Sequence, residues 1–408
     1  MSITLNGNVN WALQQMAYAD GSDVHEEPDL HLFCRRLSRI DSVDHRSSNW
    51  TETFGSATVG AKDALNGRLK LQIARNSFLF VAIALGVYLS GAAQGPAQVA
   101  SKVVSVELGY LADSRLLMIQ AEDLGMAHSV DKASFEALEK GWVTSAGVLV
   151  PGPWFPEVLR WSRSHPNADL GTRLDLNSDW SSYRWRPISA VENGSGMTDG
   201  GGYLSSSQSY VAQHATAVEV EGELRAQIDM AKRAGMQITH LDNHMRTMMV
   251  TPALFQAYWK MGQEYGLPIV LPNQQVKQRG TPTQKPGTLN FGGIDVDLAS
   301  LPIDRELEIM PGLAKEDWLS SYERTLDALP PGVYLLSVHL GYNDDELQAM
   351  TWDHPNWGAE WRQNDMDVVS SPEFQKFLKD KGFILVGWKD LQKAMPARHP
   401  QANFREPR

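Results

Sequence analysis

From Arg115 onward, short apolar runs alternate with amphipathic stretches, and this alternation constrains the fold more than any other feature. Residues 116–121 form an apolar run ending in the polar Glu122-Asp-Leu-Gly125, as a buried strand entering a loop would. The pattern then predicts a helix over 131–140, capped by Ser129 or Asp131 and closed by Gly141. A strand over 143–150, a helix over 154–164 and a strand over 169–176 follow. Residues 177–210 read as loop, 211–234 as one long helix and 237–241 as a strand. Beyond these come a helix (252–265), a strand (267–271), a long loop, a helix (314–328) and a strand (333–339). A helix over 372–380, a strand over 383–386 and a short helix from Asp390 complete the region. Short, continuously apolar strands alternating with helices imply an α/β fold, a parallel sheet covered by helices. The length of the region suits a (β/α) barrel, complete or incomplete, better than an open sheet. No Gly-x-Gly-x-x-Gly follows the first strand, as a dinucleotide-binding doubly wound sheet would require.

The N-terminal part reads differently. Residues 1–68 hold no sustained period and read as a disordered leader or a misplaced start. In 69–93, with Arg68, Lys70 and Arg75 in or beside it, a 12-residue apolar run from Phe78 to Leu89 precedes Ser90-Gly-Ala-Ala-Gln94. That is the layout of a secretory signal peptide, too short to span a bilayer comfortably. It predicts translation from near Leu69 or Leu71, export to the periplasm or medium, and no stable membrane anchor after processing. A buried helix or a signal anchor is the other reading. A linker (94–112), the barrel (113–396) and a tail (397–408) complete the division.

The formal charge is −11, from 37 Lys and Arg against 48 Asp and Glu. An acidic chain without a basic run repels phosphate backbones, which argues against a nucleic-acid partner. The single cysteine, Cys34, rules out a disulfide or a thiolate cluster within one chain.

Polar residues fall where the predicted strands end. Glu122 and Asp123 close one, Arg173 and Asp175 lie late in another, Asp242 and His244 end a third, and His339 a fourth. In a parallel barrel these ends open on one face, which carries the active site. Carboxylates with imidazoles suit zinc, manganese or iron, whereas oxygen ligands alone would favour magnesium or calcium. Each residue also has a plainer reading: Asp123 as a helix cap, His244 as a core histidine, Asp242 as a turn residue. Trp180, Trp185, Trp352, Trp357 and Trp361 follow strands, where indoles either stack on a sugar ring or pack loops down. Tyr183-Arg-Trp-Arg-Pro187 adds two cations beside them.

These segments resemble the YdjC-like carbohydrate deacetylases, which include chitooligosaccharide deacetylases. Ala121-Glu-Asp-Leu-Gly125 resembles the family's opening Asp-Asp-x-Gly, and Glu139-Lys-Gly-Trp-Val-Thr-Ser145 its next segment. Gly171-Thr-Arg-Leu-Asp-Leu176 resembles Gly-x-His-Leu-x-Leu, and Thr239-His-Leu-Asp-Asn-His244 resembles Thr-His-x-Asp-Ser-His. Ser337-Val-His-Leu-Gly341 is similar to a His-Pro-Gly segment, and Arg362-Gln-Asn-Asp365 with Ser370-Ser-Pro372 to the family's C-terminal part. The resemblance covers nearly all of 115–392, in order.

It implies a divalent-metal hydrolase removing N-acetyl groups from oligosaccharides, the metal being zinc, magnesium or manganese. Asp123 and His244 match metal ligands, Glu122 the general base and His339 a general acid. Trp180, Trp185, Arg173 and Arg362 are the substrate-binding candidates. The departure is Arg173, which stands where the family's third ligand is a histidine. A guanidinium has no lone pair to give a metal. Asp175, two residues along the strand and so on the same face, is the candidate replacement. Otherwise Arg173 pairs with Asp123 or Asp242 in the metal's stead, leaving a carbohydrate-binding pseudoenzyme. Arg246 for Gly and Leu340 for Pro depart from the pattern too. A hydrolase of other amides or esters is a third expectation.

Overall fold

The structure, a computed structural model, describes residues 104–190 and 195–394. The proposed leader, signal-like segment and tail lie outside the described residues. Four strands, β1 (Arg115–Leu124), β2 (Ser145–Val148), β3 (Leu170–Leu174) and β4 (Ile238–Asn243), occupy the first half. Three short strands, β5 (Thr281–Pro282), β6 (Thr288–Phe291) and β7 (Ile294–Asp297), form a separate antiparallel sheet. The main sheet is completed by β8 (Arg305–Leu307), β9 (Gly332–Val338) and β10 (Phe383–Leu385). Its order is β4-β3-β2-β1-β9-β8, every pairing parallel. The first residues of β1 pair with β10 and its last with β2, so one long strand serves both neighbours on that edge. The sheet curls into a half-barrel with helices around it, the incomplete form of the expected barrel.

Alternation along β1 sets the layers. Leu117, Ile119 and Ala121 join the large cluster beneath the helices, with Phe155, Tyr322 and Phe374. Leu116 and Met118 face the other way, into a smaller cluster with Val333, Leu335 and Trp388. On that face the next positions are Gln120 and Glu122, so the interior turns from apolar to polar toward the C-terminal ends of the strands. Val104 is 1% exposed and belongs to this interior cluster. Val104, in the segment expected as linker, is therefore a core residue.

Other differences are local. The segment expected as one helix over 211–234 is two, Gln208–His214 and Ala217–Arg233. Thr216 and Glu219 form a reciprocal capping box that starts the second. The helix His128–Lys140 begins without a side-chain cap, because Asp131 accepts from Gly125 N (2.6 Å) and Ser129 donates to Asp344 and Glu346. The expected strand over 267–271 is reduced to a single bridge, Leu241 to Ile269. The helix Ala359–Ser370 falls in a stretch given no element by its sequence pattern. No helix among the described residues is long and apolar enough to cross a membrane.

Candidate functional site

Two interior layers build the site. In the lower, Gln120 Oε1 accepts from Trp388 Nε1 (2.8 Å), and His240 stacks on Trp388 with centroids 4.6 Å apart. Burial pushes His240 down to about 3, so this imidazole is neutral. Gly171 makes its space: a Cβ there would lie 2.4 Å from the ring. The upper layer, one strand position further on, holds Glu122, Arg173 and Asp242 around Gly147. A Cβ on Gly147 would meet Glu122 Oε2 at 2.8 Å and Arg173 Cβ and Asp242 Oδ2 at 3.3 Å. Small residues on β2 and β3 thus leave room for large charged ones beside them.

The non-glycine residues with positive φ among those described are Asp123 (66°), Met245 (52°) and Arg246 (56°), all where β1 and β4 leave the sheet. Such conformations cost roughly 1–3 kcal/mol each and persist where surrounding packing fixes them, often at functional sites. Arg246, where the family pattern has glycine, takes a glycine-like conformation and pairs with Glu306 (3.1 Å) and Glu308 (3.4 Å).

Arg173 is the hub. Its Nη1 donates to Glu122 Oε2 at 2.8 Å and to Asp242 Oδ2, its register partner on β4. Its Nε lies 3.0 Å from Asp123 Oδ1. Arg362, from the helix Ala359–Ser370, donates through Nη2 to Asp123 Oδ2 at 2.8 Å. His244 Nδ1 is 3.3 Å from Asp123 Oδ1, and its Nε2 is 3.4 Å from Asp179 Oδ1. Burial opposes the charged imidazole, but Asp175, Asp123 and Asp179 outweigh it and raise His244 to about 10. Its Nδ1 thus sits between Asp123 Oδ1 and Arg173 Nε, 3.4 Å from the latter. Burial also opposes the Asp123 charge, yet Arg173 and Arg362 hold this carboxyl well below the usual range. Burial lifts Glu122 well above it despite Arg173, with Asp242 and Asp123 adding to the rise. Glu122 and Asp242 share the Arg173 guanidinium, and burial tilts the pair toward holding a proton on Glu122.

His339 follows β9. Its Nε2 is 3.9 Å from Asp123 Oδ2 and its Nδ1 is 3.6 Å from Glu308 Oε1. Burial outweighs Asp123 and keeps the ring well below its ordinary value, hence neutral. Asp365 accepts from His339 N (2.9 Å), Tyr322 OH (2.6 Å) and Trp318 Nε1 (2.9 Å), fixing where β9 ends. Among the buried nitrogens without a hydrogen-bond partner are His339 Nδ1 and Arg362 Nε and Nη1. Such groups normally find one.

The structure thus brings together Glu122, Asp123, Arg173, His244, His339 and Arg362. Asp175 faces His244 by charge, while its Oδ1 accepts from Asn177 N (2.8 Å) and its Oδ2 from Trp185 Nε1 (2.7 Å). Among the described residues it joins no group of three or more side chains arranged to hold a metal. Trp180 and Trp185, expected on the substrate, are core, 2% and 3% exposed. Each tucks its ring into an apolar cluster, and the Trp185 N–H is spent on Asp175. Trp352, by contrast, is 66% exposed and donates to Ser182 Oγ. Sequence reasoning missed Asp179, Glu306 and Glu308, which sit in segments read as loop. Asp365, quoted only within a motif, shares a helix face with Arg362 through its three-residue spacing.

A divalent metal does not fit this donor set. The guanidinium of Arg173 contacts Asp123 Oδ1 and stands beside His244 Nδ1, the two groups that would ligate it. Among the described residues no group of three or more His, Cys, Asp or Glu side chains is arranged to hold a metal.

The sequence profile of the YdjC-like protein family matches residues 116–380. A carbohydrate deacetylase of Thermus thermophilus is 30% identical over 286 residues, covering 70% of this chain and 97% of that protein. A chitooligosaccharide deacetylase of Serratia marcescens is 22% identical over 280 residues, covering 68% and 99%. Among solved structures, a candidate cellobiose-phosphate cleavage protein of Enterococcus faecalis superposes with a TM-score of 0.53. It is 22% identical, covering 68% of this chain and 99% of that one, a likeness of fold.

Proposed function

The chain belongs to the YdjC-like family, and we propose that it hydrolyses the acetamide bond of N-acetylated carbohydrates. The observation that carries this reading is the convergence of Asp123, His244, His339, Arg173 and Arg362 at the C-terminal ends of β1, β3, β4 and β9. Amide hydrolysis needs a water nucleophile, a proton carrier and positive charge facing the developing oxyanion. His339, neutral and with a free Nδ1, is the carrier: it takes a proton as water oxygen bonds to the acetyl carbon. The tetrahedral oxyanion forms beside the guanidinium of Arg362, whose Nε and Nη1 are unspent. As the C–N bond breaks, the proton passes from His339 to the amine nitrogen, giving acetate and a free amino sugar. Asp123 positions both guanidiniums and both histidines. No step runs through a metal, because Arg173 stands among the groups that would hold one.

Acetate release from N-acetylglucosamine oligomers, followed by mass spectrometry of the product, tests the proposal. Release that drops at least 10²-fold in His339→Gln is the expected result, within the usual range for acid–base groups. Sugar binding without release would instead mark a binding module. Release from simple amides or esters but not from acetylated sugars would move the substrate class.

A further inference from the structure

We propose that Arg173 is the resident cation of this site, its guanidinium taking the place of a divalent metal so that the protein folds and binds ligand metal-free. The inference rests on the family reading for where a metal would sit, and on this chain's geometry for what sits there. Two neighbouring contacts define the position. Asp123 Oδ1 and His244 Nδ1 lie 3.3 Å apart, and Arg173 Nε is 3.0 Å from the first and 3.4 Å from the second. An ion bridging those two atoms would overlap the guanidinium.

Moving Arg173 aside is unfavourable on three counts. It would break the hydrogen bond to Glu122 and the ion pairs to Asp123 and Asp242 together. It would leave a side chain only 10% exposed to find another partner for its charge. It would also vacate the volume beside Gly147 that the absent Cβ provides. Two guanidiniums, Arg173 and Arg362, already direct positive charge at these carboxyls, and a divalent ion would add to it in a buried layer. Nor is a replacement set at hand, since among the described residues no group of three or more His, Cys, Asp or Glu side chains, Asp175 included, is arranged to hold a metal. A guanidinium differs from a metal in one chemical respect: it cannot polarise a bound water as a Lewis acid. What it offers is fixed charge and directed N–H groups.

The test is zinc or manganese alone, titrated into the full-length protein by calorimetry. Only binding abolished by Asp123→Asn is counted. The wild type is expected to show none at micromolar metal, with a melting temperature unmoved by either metal or chelator. Arg173→His, which restores a third donor and removes a positive charge, is expected to gain one equivalent, at least tenfold tighter than wild type. One Asp123-dependent equivalent in the wild type would overturn the proposal, as would a folded Arg173→His that gains none. Should Arg173→His fail to fold, Arg173→Gln keeps the bulk and loses the charge. A zinc-dependent rise in its melting temperature supports the proposal, and no rise overturns it. These readouts are independent of acetate release, so the deacetylase reading can stand or fall separately.

Discussion

Arg362 Nη2 donates to Asp123 Oδ2 at 2.8 Å, tying the helix Ala359–Ser370 to the end of β1. Both side chains are almost fully buried, at 3% and 2% exposure. Removing one member of such a pair strands the other, typically at about 3–5 kcal/mol. Arg173 still faces Asp123, so the expected loss for Arg362→Leu is smaller, about 2 kcal/mol. Urea denaturation reads it. Adding Asp123→Asn to the same chain should recover part of the loss, because the stranded charge is gone. A double variant no more stable than Arg362→Leu alone would refute that account.

Gly147 and Gly222 make opposite predictions from the same substitution. A Cβ on Gly147 intrudes on Glu122, Arg173 and Asp242 within a packed charged layer. Gly147→Ala is expected to cost about 1–3 kcal/mol, the usual range for overpacking, and to weaken ligand binding. Gly222 lies inside the helix Ala217–Arg233, and a Cβ there meets nothing within 4 Å. Gly222→Ala is expected to stabilise by about 0.5–1 kcal/mol through helix propensity alone. Thermal melting of both variants decides; equal effects would mean the Gly147 space is not constrained.

Trp185 and Asp175 supply a third. The indole N–H at 2.7 Å is one of the donors lowering a carboxyl that burial lifts to about 6. Trp185→Phe removes that donor while keeping much of the ring. The expected cost is roughly 1.5–3 kcal/mol at neutral pH, where Asp175 is ionised, and less at pH 5. A cost independent of pH would mean that packing alone is lost.

How far the sequence reached follows from the same residues. Strand ends were legible because an apolar run stopping at a charged pair, as at Glu122-Asp123, reports burial and exit together. The ligand-position departure at Arg173 was visible for the same reason. Where charges would find partners was not, since Arg362 and Asp123 meet only through the fold. The tryptophans show the limit most sharply: an indole after a strand reads equally as platform or as packing, and Trp180 and Trp185 are packing. The antiparallel sheet, read as loop, had a usable signal. Gly292 and Gly293 both take positive φ (56° and 82°) between β6 and β7, the two-residue hairpin turn that a Gly-Gly pair favours. The Thr216-x-x-Glu219 capping box was likewise readable, but the continuous helical period on either side concealed it.

His244 gives the sharpest pH prediction. Burial opposes its charge, but Asp175, Asp123 and Asp179 raise it to about 10 in the fold, against an ordinary value of 6.5. The folded state therefore keeps a proton that the unfolded state releases above pH 6.5. The stabilisation is fully present below that value and is lost as pH rises through about 10. One proton's difference limits the slope to about 1.4 kcal/mol per pH unit between roughly pH 7 and 10. Asp365 adds the same sign at lower pH. Burial lifts it to about 7, so it binds its proton more tightly folded, and stability falls as pH climbs from about 4 to 7. His240 opposes both. Burial depresses it to about 3, so its contribution is present above 6.5 and is lost as pH falls toward 3. Between about pH 7 and 10 neither Asp365 nor His240 titrates differently in the two states, while Glu122 and Asp131, both raised by burial, add the same sign, so the comparison with His244→Gln separates the share of His244. Unfolding free energies measured in urea at half-unit steps across that window should decline in the wild type. In His244→Gln the decline should flatten. An equally steep decline in the variant would show that another group carries it, and that the Asp123–His244 contact is not an ion pair.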